Sequence, residues 1–291
     1  MTPMKVDLTV IIPTFNEERN IENCIKSVLW ANEIIIADGS STDRTVEIAK
    51  NFNARILNFP PDGYADPIRQ KAVYQAKNDW ILFLDADEII PLDLAKKMSE
   101  IVKNNSDFDI IYIPRENYFF GQSLHGAGWG VNQDILPRMF RKGAIVFDNQ
   151  IHGFEHPVPD SKRMLISEDF SLHIIHFNYI SVESFVEKLN RYTTIGSRLR
   201  YKKAKKKVTF SKIVVNFLYE FYHRFFVSKG YKEGVTGFVM SAMMSFYRIT
   251  EDFKLYLMQM LGTENVTETV MDLYSLKAKD ILNEYDDFNM Q

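Results

Sequence analysis

Two aspartates stand where an apolar run ends, in the sequence WILFLDADE of residues 80–88. Residues two apart on a strand point to the same side, so Asp85 and Asp87 present two carboxylates together where the strand leaves the core. Carboxylate oxygens are the ligands that Mg²⁺ and Mn²⁺ prefer, and such a cation can bridge a diphosphate. The alternative is a strand-ending turn without a ligand, in which aspartate is a common residue.

Other acids follow two further apolar runs. In IIIADGSSTDRT, residues 34–45, Asp38 comes at the end of the run, where its carboxylate can accept hydrogen bonds from a nucleotide base or a ribose. Asp43 or Thr42 can cap the helix that should follow. The first run ends in PTFNEE, residues 13–18, for which a helix start and a nucleotide contact are both open interpretations.

The elements that must position these residues alternate between strands and helices. Five short runs are apolar or β-branched and have the length of strands: Val6–Ile12, Glu33–Ala37, Ala54–Leu57, Trp80–Leu84 and Asp109–Ile113. Between them, apolar residues recur at helical spacing near positions 21–29, 46–52 and 68–76. This order predicts βαβ units and a mostly parallel sheet, whose strand carboxyl ends meet at one edge and gather the acids there.

The later chain differs in composition. Glycine, aromatic and histidine residues dominate FFGQSLHGAGWGVNQD, residues 119–134, and IHGFEHPVP, residues 151–159. Such segments are typical of functional loops, although turns in an antiparallel layer are equally open. Beyond Tyr179 the pattern becomes helical. We therefore predict a catalytic domain over residues 1–180, with halves at 1–115 and 116–180, and a helical C-terminal region over 181–291.

Charge is segregated within the C-terminal region. Residues 188–232 hold 13 Lys and Arg and a single acid, a charge of about +12, whereas residues 264–291 hold seven acids and two lysines, a charge of −5. Aromatic residues are interleaved with the basic ones, a pattern that favours docking on an anionic membrane surface through residues 188–247. The alternative is a helical core or an oligomer interface whose lysines are simply solvated.

Composition excludes several classes of protein. A chain of 291 residues, 46% of them hydrophobic, can bury a large core. The chain has 35 Lys and Arg and 38 Asp and Glu, so it lacks the excess of basic residues that is typical of a nucleic-acid binder. We therefore predict no nucleic-acid partner. Neither GxGxxG nor GxxxxGKS/T occurs at a strand-to-helix turn, which argues against dehydrogenases and P-loop enzymes.

Localisation is predicted from short apolar runs and from cysteine use. Leu8–Phe15 is uncharged but is followed by Asn-Glu-Glu-Arg, so it indicates a buried strand rather than a signal peptide. The uncharged run Gly234–Tyr247 has 14 residues, fewer than the roughly 20 that a membrane-spanning helix needs. The single cysteine, Cys24, fits a reducing compartment. We expect a cytoplasmic protein, peripheral at the inner face of the cell membrane.

Six segments together resemble family 2 glycosyltransferases with the GT-A fold. They are TVIIPTFNEERNIENCIKSV, IIIADGSSTDRT, ADPIRQKAVYQAKNDWILFLDADE, GWGVNQDILPRMF, IIHFNYISVESFVEKLNRYT and GYKEGVTGFVMSAMMSFYRI. Their order and spacing are similar to the branch that contains lipopolysaccharide core β-1,4-glucosyltransferases, and they cover most of the chain. The resemblance implies a Rossmann-like nucleotide-sugar-binding sheet flanked by helices, with a helical C-terminal extension.

By position, the resemblance implies the residues of the donor site. Thr14, Glu17 and Asp38 would line the nucleotide site, and Arg69 matches an arginine that approaches the nucleotide. An exposed helix arginine is the alternative for Arg69. Asp85 matches both the nucleotide site and the metal motif.

Metal ligands are implied as well. Asp87 is the more direct expected ligand of the motif, and His176, in the shared HFNY stretch, can complete a manganese site. A hydrogen-bonded core histidine is the alternative, because His176 lies in an apolar segment. The implied cofactor is Mn²⁺ or Mg²⁺.

A general base is also required, because an inverting transfer needs a carboxylate that removes the proton from the acceptor hydroxyl. Asp134 is the first candidate, since DILPRMF resembles the Asp-x-x-x-Arg-x-Phe segment after the Gly-Trp loop of this branch. Glu155 is the alternative base. An ion pair with Arg138 is the structural alternative for Asp134.

The predicted function is therefore a metal-dependent inverting glycosyltransferase. Its donor would be a nucleotide-diphosphate sugar, expected to be UDP-linked, and its acceptor a bacterial surface glycan or glycolipid such as lipopolysaccharide core. A sugar-phosphate nucleotidyltransferase is the nearest enzymatic alternative, although no glycine-rich phosphate loop follows the first strand. A non-catalytic glycan-binding assembly subunit is the other alternative, against which Asp85 and Asp87 argue.

Overall fold

The first strands of the chain are buried on both faces, because helices cover the sheet from two sides. The computed structural model describes residues 5–60, 66–147, 156–203 and 206–289. Its strands are β1 (Val6–Thr14), β2 (Ala31–Asp38), β3 (Arg55–Asn58), β4 (Trp80–Phe83), β5 (Glu88–Ile89), β6 (Ile110–Phe119), β7 (Gln122–Ser123), β8 (Ile135–Arg141), β9 (Ile145–Val146), β10 (His156–Pro157), β11 (Arg163–Leu165) and β12 (Ile174–Tyr179).

The helices alternate with strands at first and then dominate. They are α1 (Ile21–Ser27), α2 (Thr45–Lys50), α3 (Asp66–Gln75), α4 (Leu92–Lys103), α5 (Val182–Lys203), α6 (Phe210–Tyr222), α7 (Gly234–Leu261) and α8 (Val266–Asn289). A π-helical turn covers His223–Val227, and a 3₁₀ turn covers Gly230–Glu233. Within the ranges that the structure describes, no helix is both long and apolar enough to cross a membrane.

The main sheet has the strand order β3-β2-β1-β4-β8-β6-β12-β5, and β7 and β11 also pair with β6. Strands β3, β2, β1 and β4 are parallel neighbours, as the βαβ pattern predicted. Strand β8 runs antiparallel between β4 and β6, so the complete sheet is mixed. A mixed sheet with flanking helices and a helical C-terminal region confirms the predicted α/β fold class.

Alternation along the strands explains the two-sided core. On β1, Val10 and Ile12 belong to the apolar cluster on one face of the sheet, whereas Ile11 belongs to the cluster on the other. Both faces need apolar residues, so the strand is a continuous hydrophobic run. Full burial of each such side chain contributes about 1.5–3 kcal/mol. Helix α4, which the sequence analysis did not identify, buries Leu94 and Met98 against the first cluster.

Strand β6 is longer than predicted. The sequence predicted an end at Ile113, where the apolar and β-branched run stops. The strand instead continues to Phe119, and Pro114 stands opposite Ile135 in the antiparallel pairing with β8. The extension matters for the site, since it contains Arg115 and Asn117.

The chain divides into two compact units. One, here called the sheet unit, comprises Met1–Glu187 and His223–Val239; the other, the helical unit, comprises Lys188–Tyr222 and Met240–Gln291. In the helical unit, the buried carboxylate of Asp252 accepts from Arg200 Nη2 at 2.6 Å and from Asn216 Nδ2 at 2.7 Å, which ties three helices together. The catalytic boundary at residue 180 stays a prediction.

Candidate active site

The nucleotide-site candidates lie at the carboxyl ends of β1 and β2. Thr14 and Asp38 are opposite each other in the parallel register, and the Thr14 hydroxyl donates to Asp38 Oδ1 over 3.1 Å. Ser41 donates to the same carboxylate through its hydroxyl, at 2.5 Å, and its backbone N–H, at 2.9 Å. Asp38 is buried. Its orientation is thus fixed, while a carboxylate with about four acceptor positions still has capacity for a ligand.

Glu17 lies in the loop between β1 and α1. Its backbone N–H donates to Thr45 Oγ1 over 2.7 Å, and its carboxylate accepts from Asn20 Nδ2 at 2.8 Å. Asp43 supports the same loop, because it accepts from the Thr45 hydroxyl and backbone N–H at 2.5 and 3.0 Å and from the Glu18 N–H at 3.0 Å. The N-cap residue of α2 is Arg44, which makes no side-chain cap hydrogen bond. Asp43, one residue earlier, instead accepts the first N–H of the helix, and this bond is here called its capping contact.

Asp85 lies among three arginines just after β4. Its Oδ1 accepts from Arg69 Nη2 at 2.7 Å, and its Oδ2 accepts from Arg138 Nη2 at 2.8 Å. Arg115 Nη1 lies 3.9 Å from the same Oδ2. Burial alone would raise the pKa of Asp85, but Arg138 and Arg69, with Arg115 further away, hold it well below its usual range. Asp85 is therefore ionised, and its oxygens are already engaged by guanidinium groups.

Glu88 anchors the turn that follows. Its carboxylate is fully buried and accepts from Arg138 Nη2 at 2.7 Å and Arg115 Nη1 at 3.0 Å, while its other oxygen accepts the Asp85 backbone N–H at 2.9 Å. Removing one partner from such a buried ion pair costs about 3–5 kcal/mol. The network therefore fixes the backbone that presents Asp87.

Asp87 and His176 face each other across the pairing of β5 with β12. The distance between Asp87 Oδ1 and His176 Nε2 is 3.5 Å, and the Phe177 N–H donates to the Asp87 carbonyl at 2.9 Å. The other ring nitrogen, His176 Nδ1, lies 2.7 Å from Asn117 Oδ1. Backbone pairing thus brings together two of the three predicted metal ligands, Asp87 and His176.

Asp134 precedes β8 and is held by two residues of β6. Arg115 pairs with both of its carboxylate oxygens, at 2.8–3.1 Å, and Asn117 Nδ2 donates to Oδ2 over 2.8 Å. The sequence suggested Arg138 as the structural partner of Asp134, whereas Arg115 makes the ion pair and Arg138 contacts Asp85 and Glu88. The antiparallel pairing of β6 with β8 determines which arginine lies beside Asp134.

The residues at this edge fit a divalent cation in part. Among the described residues, no three side chains of His, Cys, Asp or Glu are grouped so as to hold a metal ion. Asp87 and His176 provide two donors of the right chemistry, and a diphosphate supplies further oxygens when bound. Asp85 is engaged by arginines, which makes Asp87 the better placed ligand. Glu155, the alternative base, lies outside the described residues.

Comparison with known proteins decides the family. The model of glycosyl transferase family 2 matches residues 9–158, just over half of the chain. The chain belongs to glycosyl transferase family 2. The resemblance inferred from the sequence is thereby confirmed, and the protein is a family 2 glycosyltransferase.

Relatives of this family 2 glycosyltransferase cover nearly its whole length. An uncharacterized glycosyltransferase of Rickettsia typhi is 29% identical over 286 residues, which are 94% of this chain and 96% of that protein. The lipopolysaccharide core biosynthesis glycosyltransferase LpsC of Rhizobium meliloti is 23% identical over 257 residues, 87% of this chain and 93% of that one. The S. aureus TarS structure with UDP-GlcNAc has a TM-score of 0.46 and 14% identity, covering 88% of this chain and 92% of that chain.

Three residues of the site were missed by sequence reasoning. Arg115, Asn117 and Glu88 all contact a predicted site residue directly. The sequence does contain a pattern that could have indicated Arg115 and Asn117. They are two residues apart and would share a face of the strand if it were extended beyond Pro114. Glu88 carries no signal of its own beyond its place in DADE.

The glycine-rich loop before Asp134 is held by the second segment of the sheet unit. The Arg224 guanidinium lies 4.4 Å above the Trp129 ring and donates to the Ala127 carbonyl at 2.8 Å. The Ala127 N–H donates to the Ser228 carbonyl at 2.7 Å. A Cβ added at Gly126 would come within 2.7 Å of the Lys229 carbonyl, so glycine is needed there. The π-helical turn and the two residues after it therefore position the loop that leads to Asp134.

Proposed function

We propose that this family 2 glycosyltransferase transfers a sugar, with inversion, from a UDP-sugar to a glycan or glycolipid of the bacterial surface, such as lipopolysaccharide core. The reaction depends on Mn²⁺ or Mg²⁺. One observation carries the proposal: Asp87 and His176 lie 3.5 Å apart, and Asn117 joins that pair to Asp134. Hydrogen bonds through Asn117 thus join His176 to the candidate base, and Asp87 lies beside His176.

The donor half of the proposal assigns a task to the candidate residues near the carboxyl ends of β1, β2 and β4. Asp38 accepts a hydrogen bond from the imide N–H of the uracil base, beside Thr14 and the Glu17 loop. Arg69 directs its guanidinium to phosphate oxygens, and its contact with Asp85 holds it at the strand end. A bound divalent cation at Asp87 and His176 supplies charge neutralisation for the departing diphosphate.

The acceptor half assigns the proton transfer to Asp134. Its carboxylate takes the proton from the acceptor hydroxyl as the oxygen attacks the anomeric carbon opposite the diphosphate. The ion pair with Arg115 and the bond from Asn117 orient the carboxylate toward this task. Glu155 is the alternative base. The similarity to LpsC supports a lipopolysaccharide core acceptor.

An acceptor built on a lipid would bring the enzyme to an anionic membrane surface, and helix α6 supports such docking through residues 188–247. The exposed apolar side chains of α6 include Phe210, Val215 and Leu218. The segment that contains them carries a charge of about +12. Basic residues near an anionic surface contribute about 1 kcal/mol each, and aromatic residues favour the headgroup boundary.

Slow hydrolysis of the donor tests the proposal without knowledge of the acceptor. The full chain is incubated with UDP- and GDP-sugars, with Mn²⁺, with Mg²⁺ or with EDTA, and release of the nucleotide diphosphate is measured. We expect release from one or more UDP-sugars that stops with EDTA and returns with Mn²⁺. Hydrolysis that is indifferent to EDTA would contradict the metal dependence, and release from GDP-sugars alone would contradict the UDP assignment.

A further inference from the structure

We infer that Asn117 is a positioning residue that serves the metal ligand and the base at the same time. Its side chain holds His176 in the tautomer that directs Nε2 toward Asp87, and it holds Asp134 for proton transfer. This inference rests on the proposed function. It adds a residue that contacts neither the donor nor the acceptor and acts through its two neighbours.

The orientation of the Asn117 amide follows from its partners. Its Nδ2 donates to Asp134 Oδ2 at 2.8 Å and to the Trp129 carbonyl at 3.0 Å. A carboxylate and a carbonyl can only accept, so the nitrogen must face them and Oδ1 must face His176. The amide therefore cannot be rotated by 180° without losing two hydrogen bonds.

The tautomer of His176 follows in turn. Asn117 Oδ1 is an acceptor, so the nitrogen 2.7 Å away from it, His176 Nδ1, carries the hydrogen. When the imidazole is neutral, its lone pair is on Nε2, which lies 3.5 Å from Asp87 Oδ1. Two electron-rich atoms at this distance favour a cation near both of them. A second partner that fixes the tautomer is typical of histidines that bind metals.

Backbone pairing leaves Asn117 little freedom. Asn117 and His176 are direct partners in the parallel ladder of β6 and β12. The Asn117 carbonyl accepts the Leu124 N–H at 2.9 Å, and its side chain is fully buried. Asp134 is tied to the same strand, because its carbonyl accepts the Arg115 N–H at 2.9 Å. One rigid strand thus sets the relative positions of the metal ligand and the base.

Two substitutions separate the two tasks of Asn117. Asn117→Asp keeps an oxygen that accepts from His176 Nδ1 but places a carboxylate against Asp134. Asn117→Ala removes both contacts. Mn²⁺ binding is measured by electron paramagnetic resonance titration of the full chain in the presence of UDP, and donor hydrolysis gives kcat and KM. Asn216→Asp is the matched control, because Asn216 also donates to a carboxylate, that of Asp252, in the helical unit.

We expect Asn117→Ala to weaken Mn²⁺ binding about 10- to 100-fold, the usual loss for an outer partner of a metal ligand. Asn117→Asp should bind Mn²⁺ within about threefold of the wild type yet hydrolyse donor with a kcat at least about tenfold lower. Asn216→Asp should leave Mn²⁺ affinity unchanged. If Asn117→Ala does not fold, the split between Mn²⁺ affinity and kcat in Asn117→Asp decides alone.

Equal losses of Mn²⁺ affinity in both Asn117 variants, or no loss of kcat in Asn117→Asp, would overturn the inference. The proposed function would still stand if the wild-type enzyme turns over with Mn²⁺. A wild-type chain that neither binds Mn²⁺ with UDP nor hydrolyses a nucleotide sugar would overturn both. The two failures are therefore distinguishable by the wild-type measurement.

Discussion

Arg115 pairs with both carboxylate oxygens of Asp134. Arg115 lies on β6, and Asp134 directly precedes β8, the antiparallel neighbour of β6. The same guanidinium contacts the buried carboxylate of Glu88 at 3.0 Å. Asp134 is thereby connected to the turn that presents Asp87. A substitution at Asp134 has a structural effect as well as a chemical one, and the two must be measured separately.

Asp134→Asn tests the base. The amide keeps the size of the side chain but cannot accept a proton, so we expect kcat for sugar transfer to fall by at least about 100-fold with the donor KM nearly unchanged. Urea denaturation of the same variant measures the stability that is lost with the ion pair between Arg115 and Asp134. Glu155→Gln should be milder than Asp134→Asn in kcat. The reverse order would transfer the role of base to Glu155.

Asp87→Ala tests the metal ligand. Loss of a carboxylate from the cation that neutralises the diphosphate should lower turnover by about 100-fold or more at saturating Mn²⁺, with folding intact by circular dichroism. Asp93→Ala is the control, since Asp93 forms an exposed ion pair with Lys96 at 2.8 Å on α4. A folded Asp87→Ala enzyme with a rate near that of Asp93→Ala contradicts the assignment.

Asp43 predicts a dependence of stability on pH. Burial, the largest single contribution, would raise the pKa of Asp43, but the hydrogen bonds from Thr45 and from the Glu18 N–H together lower it. A lowered pKa in the folded state contributes stability above the unfolded value of about 3.9, and this contribution is lost as the pH falls through the folded value. Asp43→Ala should lower the free energy of unfolding by about 1 kcal/mol at pH 7.

Urea denaturation between pH 7 and pH 3 measures the Asp43 effect. The difference in unfolding free energy between the wild type and Asp43→Ala should be constant at neutral pH and shrink below about pH 4. Asp43→Asn keeps an acceptor oxygen without the charge, and its difference from the wild type should shrink over the same interval. A difference that grows in acid would contradict the capping contact.

Vesicle co-sedimentation tests docking on membranes. The protein should pellet with anionic vesicles at low salt, remain in solution with neutral ones, and be released as ionic strength rises. Changing the lysines of residues 202–207 to Gln, or Phe210, Val215 and Leu218 to Ser, should weaken this binding. Residues 204 and 205 lie outside the described part of the chain.

A matched control for the α6 variant uses exposed apolar residues elsewhere. Tyr74→Ser and Leu92→Ser alter side chains of the sheet unit whose exposure, 77% and 71%, lies within the range of the three on α6. This control should bind anionic vesicles like the wild type. Equal binding of wild type to neutral and anionic vesicles, or none to either, is the result that excludes docking, and it leaves the family assignment untouched.

The sequence was most informative where a property is local. The strands that lead to Asp38 and Asp85 are mainly apolar because both of their faces are covered. Asp38 is the last residue of β2, and Asp85 comes two residues after β4. Partner choice was not predictable, because it depends on strand register between distant segments. Asn117 and His176 are 59 positions apart, and Arg115 and Asp134 are 19 apart. The apolar run also ends at Ile113, so the sequence did not predict the extension of β6 that carries Arg115 and Asn117.

The sheet unit is discontinuous in sequence, since its second segment, His223–Val239, follows the basic part of the helical unit. Trypsin acting in the lysine cluster 202–207 would therefore cut between two parts of one folded unit. The carbonyl of Ser228, on the C-terminal fragment, would still accept the Ala127 N–H of the N-terminal fragment. Nicked protein should accordingly co-elute as a non-covalent pair of fragments, and two separately expressed halves divided at this cluster are candidates for reassembly by complementation.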